Sequence, residues 1–204
     1  MKTVQIAFEI LGHHRISMHW ESIFDVKMDF TGKARLVAEG HRTPDPVNST
    51  YAGVVSREAV RIALTYAALN GLNVEAADIQ NAYLTAPTSE KFYITCGPEF
   101  GSENIGKNAI VTRALYGTKS AGRAFRNHLR DCMDHLGYFP CKADNDLWIR
   151  LAKKNDGSDY YENMLLYTDD CLCIFEHPRQ ALLKLDKYFK LKKESVYEAV
   201  LCSC

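Results

Sequence analysis

Two aspartates stand side by side at Asp169-Asp170, between the apolar runs Leu165-Leu166-Tyr167 and Cys171-Leu172-Cys173-Ile174-Phe175. Neither carboxylate can be buried ionised without a partner. Like charges this close repel, which raises at least one pKa unless a cation is present. A divalent ion such as magnesium answers both demands, because it takes carboxylate oxygens and keeps other positions for a phosphate. A solvated turn is the plain alternative, since paired aspartates are common in turns. A third carboxylate is therefore needed to make a site. Asp78 can supply it, at the end of Asn73-Val74-Glu75-Ala76-Ala77-Asp78. Alone it reads as a helix or turn cap. Brought beside Asp169, it would help hold two ions about 3.5–4 Å apart, the spacing used for in-line phosphoryl displacement.

The elements that must position these groups can be read around them. Only residues 168–170 separate strands predicted over 162–167 and 171–175. A parallel crossover needs a dozen or more residues, so these strands pair antiparallel and carry the acidic pair at a hairpin tip. Asp78 closes a strand over 73–78. Ahead of it, Ser56 caps a helix with Glu58 in its first turn, an apolar stripe of Val60, Leu64, Ala67 and Ala68, and Gly71 as its stop. Strands over 23–27 and 35–38 form a hairpin across Thr31-Gly32, and 92–95, 110–113 and 147–151 are further strands. Pro44, Pro46 and Asn48 make 41–50 a loop. Helices are predicted over 120–136, closed by Gly137, and over 179–190 after Pro178. The fold class is α+β, an antiparallel sheet with helices packed on one face, rather than a doubly wound parallel sheet. Residues 1–22 are poorly patterned and read as a loose leader, in which His13, His14 and His19 are solvated rather than metal-binding.

The helix over 120–136 has a second chemical feature. Lys119, Arg123, Arg126 and Arg130 recur at spacings of four, three and four, so they share one face. Phe125, Leu129, Cys132 and Leu136 share another. A cationic stripe of this kind suits template phosphates or a triphosphate, and a solvated basic face is equally consistent. The placement matters because 25 Lys and Arg balance 25 Asp and Glu, leaving no bulk charge to argue for nucleic acid. With 204 residues, 47% apolar, the chain can bury a substantial core. The seven cysteines contain no CxxC pair and no histidine partner at zinc spacing, so they read as structural thiols of a reducing compartment. No signal peptide or membrane span is visible.

Taken in order, Lys33-Ala34-Arg35-Leu36-Val37-Ala38, Ala77-Asp78-Ile79-Gln80-Asn81-Ala82-Tyr83-Leu84, Arg113-Ala114-Leu115-Tyr116-Gly117-Thr118-Lys119 and Tyr167-Thr168-Asp169-Asp170 resemble the motifs of copia-type retrotransposon reverse transcriptases. The resemblance runs over about residues 23–193. It implies a polymerase palm-and-fingers fold that adds deoxynucleotides to a primer 3′-hydroxyl on an RNA or DNA template, with two Mg2+ or Mn2+ ions. One ion would lower the pKa of that hydroxyl and the other would neutralise the leaving pyrophosphate. By this resemblance Asp78, Asp169 and Asp170 are catalytic, with Asp78, Asp169 and the carbonyl of Ile79 on the metals and Asp170 less essential. Tyr83 matches the aromatic gate whose ring leaves no volume for a ribose 2′-hydroxyl. Lys33 and Arg35 fall where the triphosphate is gripped. Gly117 and Lys119 lie in a segment that contacts template and nucleotide, where a glycine lets backbone approach closely. Arg123, Arg126, Arg130 and Tyr167 are assigned to the nucleic acid. The implied setting is cytoplasmic, or a virus-like particle, within a longer Pol polyprotein.

Some positions depart from the family pattern. Ser120-Ala121-Gly122 stands where Gln-Ala-Pro is usual, Glu39 where a basic or small residue is usual, and Thr168 where valine is common. Residues 194–204 read as a non-matching tail, with no thumb or RNase H segment in the chain, so the domain is expected to be truncated. Two other readings compete. One is a catalytically inactive relic that folds and binds nucleic acid without polymerising. The other is a different palm-type nucleotidyltransferase, such as a nucleotide cyclase, against which the motif order argues.

Overall fold

A computed structural model of the chain describes residues 16–26, 28, 30, 32–47, 49–192 and 197–198. In chain order its elements are β1 (Ile16–Ser17), β2 (Trp20–Val26), β3 (Gly32–Ala38), α1 (Arg57–Asn70), β4 (Asn73–Asp78), α2 (Ala82–Thr85), β5 (Phe92–Thr95), β6 (Asn108–Ile110), α3 (Ala121–His135), β7 (Phe139–Pro140), β8 (Leu147–Lys153), β9 (Asp159–Tyr167), β10 (Asp170–Phe175), α4 (Pro178–Leu185) and β11 (Tyr197–Glu198). They divide into two compact units. One is Met1–Ala52 with Tyr83–His128, the other Gly53–Ala82 with Leu129–Cys204. No helix among the described residues is long and apolar enough to cross a membrane.

In the first unit, β2 and β3 pair from Trp20↔Ala38 to Val26↔Gly32. Directly opposed residues share a face. Trp20, Phe24 and Val26 therefore lie with Leu36 and Ala34, while Ile23 and Asp25 lie with Arg35 and Lys33 on the other face. A three-stranded sheet runs β1-β5-β6, with β1 parallel and β6 antiparallel to β5. Met18, Ala38, Phe92, Ile94, Cys96, Ala109 and Leu115 form its core. Two expectations are corrected here. Residues 16–22 belong to the fold rather than to a loose leader, because buried Met18 and the Trp20 indole, which donates to the Thr95 carbonyl at 3.0 Å, tie them down. His13 and His14 lie outside the described residues. The strand predicted over 110–113 runs instead over Asn108–Ile110, where β5 offers partners; beyond it Val111 donates to Phe92 and Arg113 bridges to Pro87.

The second unit is built on a six-stranded sheet, β11-β4-β10-β9-β8-β7, in which every pairing is antiparallel. Helix α1 starts as its sequence dictates: the Ser56 hydroxyl accepts from the Ala59 amide, and Gly71 takes the left-handed conformation at φ 61°. Its small residues Ala59, Ala63 and Ala67 allow close approach to Val74, Leu165 and Ile174, which share one face of the sheet. The alternate residues Cys171, Cys173 and Phe175 are also fully buried, and Phe175 stacks on Tyr138, just past α3. Both faces of β10 are therefore covered. The reason is legible in β10 itself, whose consecutive apolar residues leave both faces in need of cover. Helix α4 stops at Leu185, short of residue 190. The Asp186 carboxylate accepts from the Leu191 amide, and buried Phe189 and Leu191 return the chain to the sheet. In the tail, Tyr197↔Ala76 pairing adds β11 to β4.

Candidate active site

The second unit brings the three aspartates to one end of its sheet. Register places Asp78, at the end of β4, opposite Asp170, the first residue of β10, and Asp170 opposite Tyr167. Tyr167, Asp170 and Asp78 thus form one cross-strand row, with Asp169 at the hairpin tip. Thr168 makes that tip at φ 53°, a left-handed conformation that costs a β-branched residue strain. The carbonyl of Asp169 accepts from the Ile79 amide at 2.8 Å, which fastens the tip to the residue after Asp78. Ile79 is itself fully buried. Asn81, also at positive φ (55°), then turns the chain out of the strand toward α2.

Burial pushes the Asp170 carboxyl above its usual range, the charges of Asp169 and Asp78 push it further, and Lys192 opposes them. Asp170 therefore feels both neighbouring carboxylates. Among the described residues no three His, Cys, Asp or Glu side chains are gathered as a ready cage for a metal ion. The donors are nonetheless hard oxygens of the kind magnesium and manganese take, and their repulsion is what a divalent ion relieves. One Asp78 oxygen, Oδ2, is held by the Lys192 ammonium. The carboxylates fit such an ion in chemistry, and Lys192 stands on one of the candidate oxygens.

Apart from Tyr167 at the end of β9, the other predicted residues lie in the first unit or along α3. The Tyr83 ring rests 4.9 Å from that of Tyr116 and 6.0 Å from that of Phe125. Arg35 stands over the outer Tyr116 ring at 5.8 Å, and Lys33 pairs in register with Asp25. Gly117 has a structural duty. At φ 86°, a Cβ there would lie 2.1 Å from the Ala38 carbonyl oxygen, so its missing side chain lets the loop close on β3. Lys119 donates to the Thr43 carbonyl and the Asp45 carboxylate, both at 2.8 Å, and Arg123 donates to the Ser49 carbonyl at 2.7 Å. These two cations clasp the 43–49 loop. Arg126 is half-buried and Arg130 exposed, the latter 3.4 Å from Asp131. Tyr167 is 55% exposed, available to a ligand.

Sequence reasoning missed Lys192. Its signal was the alternation Phe189-Lys190-Leu191-Lys192, a strand pattern that a helix extended to 190 concealed. Tyr116, which supports both Tyr83 and Arg35, was read only as part of a motif.

Comparison with known proteins adds a family context. A family model described as reverse transcriptase (RNA-dependent DNA polymerase) matches residues 3–201, which includes most of the stretches read as leader and tail. The retrovirus-related Pol polyprotein from transposon RE1 of Arabidopsis thaliana is 29% identical over 166 residues, 78% of this chain and 11% of that protein. The corresponding polyprotein from transposon RE2 of the same plant is 28% identical over 143 residues, covering 69% and 10%. That from transposon TNT 1-94 of Nicotiana tabacum is 29% identical over 147 residues, covering 70% and 11%. The chain spans about a tenth of the length of these relatives.

Proposed function

The chain belongs to the reverse transcriptase (RNA-dependent DNA polymerase) family, in its copia-type branch, and from that premise we propose that it carries the catalytic aspartates of an RNA-directed DNA polymerase. The observation that carries the proposal is the register of β4 against β10, with Asp78 opposite Asp170 and Asp169 fastened beside Ile79.

In this reading Asp78, Asp169 and the Ile79 carbonyl hold two Mg2+ or Mn2+ ions. When bound, such ions acidify a primer 3′-hydroxyl and neutralise the departing pyrophosphate. The contribution of the chain is positioning and charge, with little covalent chemistry. Asp169, on a turn whose carbonyl is held by the Ile79 amide, presents its carboxylate from a fixed backbone. Asp170, with its raised pKa, adds negative potential and is the less essential of the pair. Tyr83, backed by Tyr116 and Phe125, serves as the gate that rejects a ribose 2′-hydroxyl. Lys33 and Arg35 grip the triphosphate, while Arg126, Arg130 and Tyr167 meet template and primer. Lys119, Gly117 and Arg123 act one step removed, by shaping the loop and strand end they hold. The palm-and-fingers arrangement, a cytoplasmic or virus-like-particle setting, and work within a longer Pol polyprotein belong to the same proposal.

Primer extension on an RNA template with magnesium and deoxynucleotides tests it. The parent is expected to extend the primer, and Asp169→Asn to lose about a hundred- to a thousandfold of that rate, the scale of removing a group that stabilises transition-state charge. Extension by neither would assign the chain to the inactive-relic reading, and equal extension by both would overturn the role given to Asp169.

A further inference from the structure

Asp78 already holds a cation in this structure, and it comes from the chain's own backbone path. Residues 190–192 lie antiparallel alongside 78–80: Gln80 donates to the Lys190 carbonyl at 2.8 Å, Lys192 donates to the Asp78 carbonyl at 2.9 Å, and Leu191 bridges to Ile79. Leu191 is 8% exposed, and its amide is bonded to Asp186. Alternation along such a segment turns Lys192 away from buried Leu191. Its ammonium meets Asp78 Oδ2, and its charge also reaches Asp170. The lysine is thus fixed at its base by main-chain bonds, while its side chain, 47% exposed, reaches solvent beside Asp78.

We propose that Lys192 is a built-in counter-ion for the acidic cluster: it balances Asp78 in the metal-free protein and leaves that carboxylate when a divalent cation enters. Metal uptake is then an exchange of one cation for another at Asp78, not an addition to an empty cluster. The inference rests on the divalent-ion reading of the three aspartates, and it goes beyond it by giving Lys192 a positioning role before any substrate binds. Two physical consequences follow. Without Lys192 the three carboxylates lose the positive charge that Asp78 holds and Asp170 feels, so the metal-free fold is weaker. Without its competition the same carboxylates take a divalent ion more tightly, by about two- to fivefold, the range a partly exposed ion pair commands.

Calorimetric titration of Mn2+ into the parent, Lys192→Met, Lys192→Arg and Asp169→Asn, with thermal midpoints in chelator, tests the exchange. Lys192→Met is expected to melt below the parent in chelator and to bind Mn2+ about two- to fivefold tighter; Lys192→Arg, which keeps the charge, should follow the parent in both. A second measurement needs no variant. Acylation of amines on the parent, read by peptide mass spectrometry, should label Lys192 faster when Mn2+ saturates the protein, with Lys190 unchanged. If the parent binds Mn2+ but Lys192→Met binds it no tighter, or if Lys192 labelling ignores Mn2+, the exchange is overturned and the metal reading stands. If neither protein binds Mn2+, or Asp169→Asn binds as the parent does, the metal reading itself fails and the exchange with it.

Discussion

Thr168 turns the hairpin at a backbone angle that a β-branched residue rarely accepts, and the residue it delivers is Asp169. Strain of this kind persists only where neighbouring structure over-determines it, here through the Ile79–Asp169 main-chain bond and the β9–β10 ladder. The acidic trio was legible in the sequence because charge between apolar runs demands an explanation wherever it occurs. The lysine opposite it was not, because a single Lys among charged neighbours carries no such demand. Glycines show the same limit. Gly117 was read as making room for substrate, whereas its neighbours are the Ala38 carbonyl and the Val37 side chain. Gly117→Ala is therefore expected to cost about 2–4 kcal/mol, by clash and positive φ together, measured as a lower midpoint in urea unfolding. The thiols give another residue-scale outcome. Burial pushes Cys132 up to about 11 and holds Cys171 and Cys173 well above the usual thiol range. At pH 8 all three stay neutral and enclosed, so alkylation of the native protein should spare them and, among the described thiols, label half-buried Cys141 first. Peptide mapping before and after denaturation reads this directly.

Among the elements, α1 was legible in full, because its cap, stripe and stop are all local signals. Its docking was not, since that depends on a residue distant in sequence. The Asp144 carboxylate accepts from the Ser56 amide at 2.8 Å and from Asp146 at 3.0 Å, joining the start of α1 to the approach of β8. Burial works to raise the Asp144 pKa, but these amides and the Ser56 hydroxyl outweigh it and hold the carboxyl below its usual range. A depressed carboxylate stabilises the fold above its unfolded pKa, and that contribution is lost as pH falls through the folded value. Asp144→Asn should accordingly cost about 1 kcal/mol at pH 7, with the gap to the parent closing below about pH 4. Equilibrium unfolding across pH measures both. A helix was extended to 190 because periodicity reports what a segment buries, not which neighbour covers it. Apolar residues at consecutive positions in β10 were the available clue to two-sided cover.

For the whole molecule, a formal net charge of zero means that any hold on nucleic acid must come from local placement. Two of the four predicted stripe cations clasp the 43–49 loop, and the proposal assigns the other two, Arg126 and Arg130, to phosphate. Arg126→Gln and Arg130→Gln should each weaken primer–template binding similarly across sequences and lower the log–log salt slope by about one. Anisotropy titrations at several salt concentrations supply that slope. The family was legible before any coordinates, because four ordered motifs are far more specific than one tetrad, and a match across residues 3–201 bears that out. The central claim remains that Asp78 and Asp169 jointly hold divalent ions for nucleotide addition. Its most direct test is a count of Mn2+ bound per chain, by calorimetry with primer–template and a non-reactive deoxynucleotide analogue present. The account expects two ions on the parent and their loss in the Asp78→Asn/Asp169→Asn double variant; equal uptake by both proteins would contradict it.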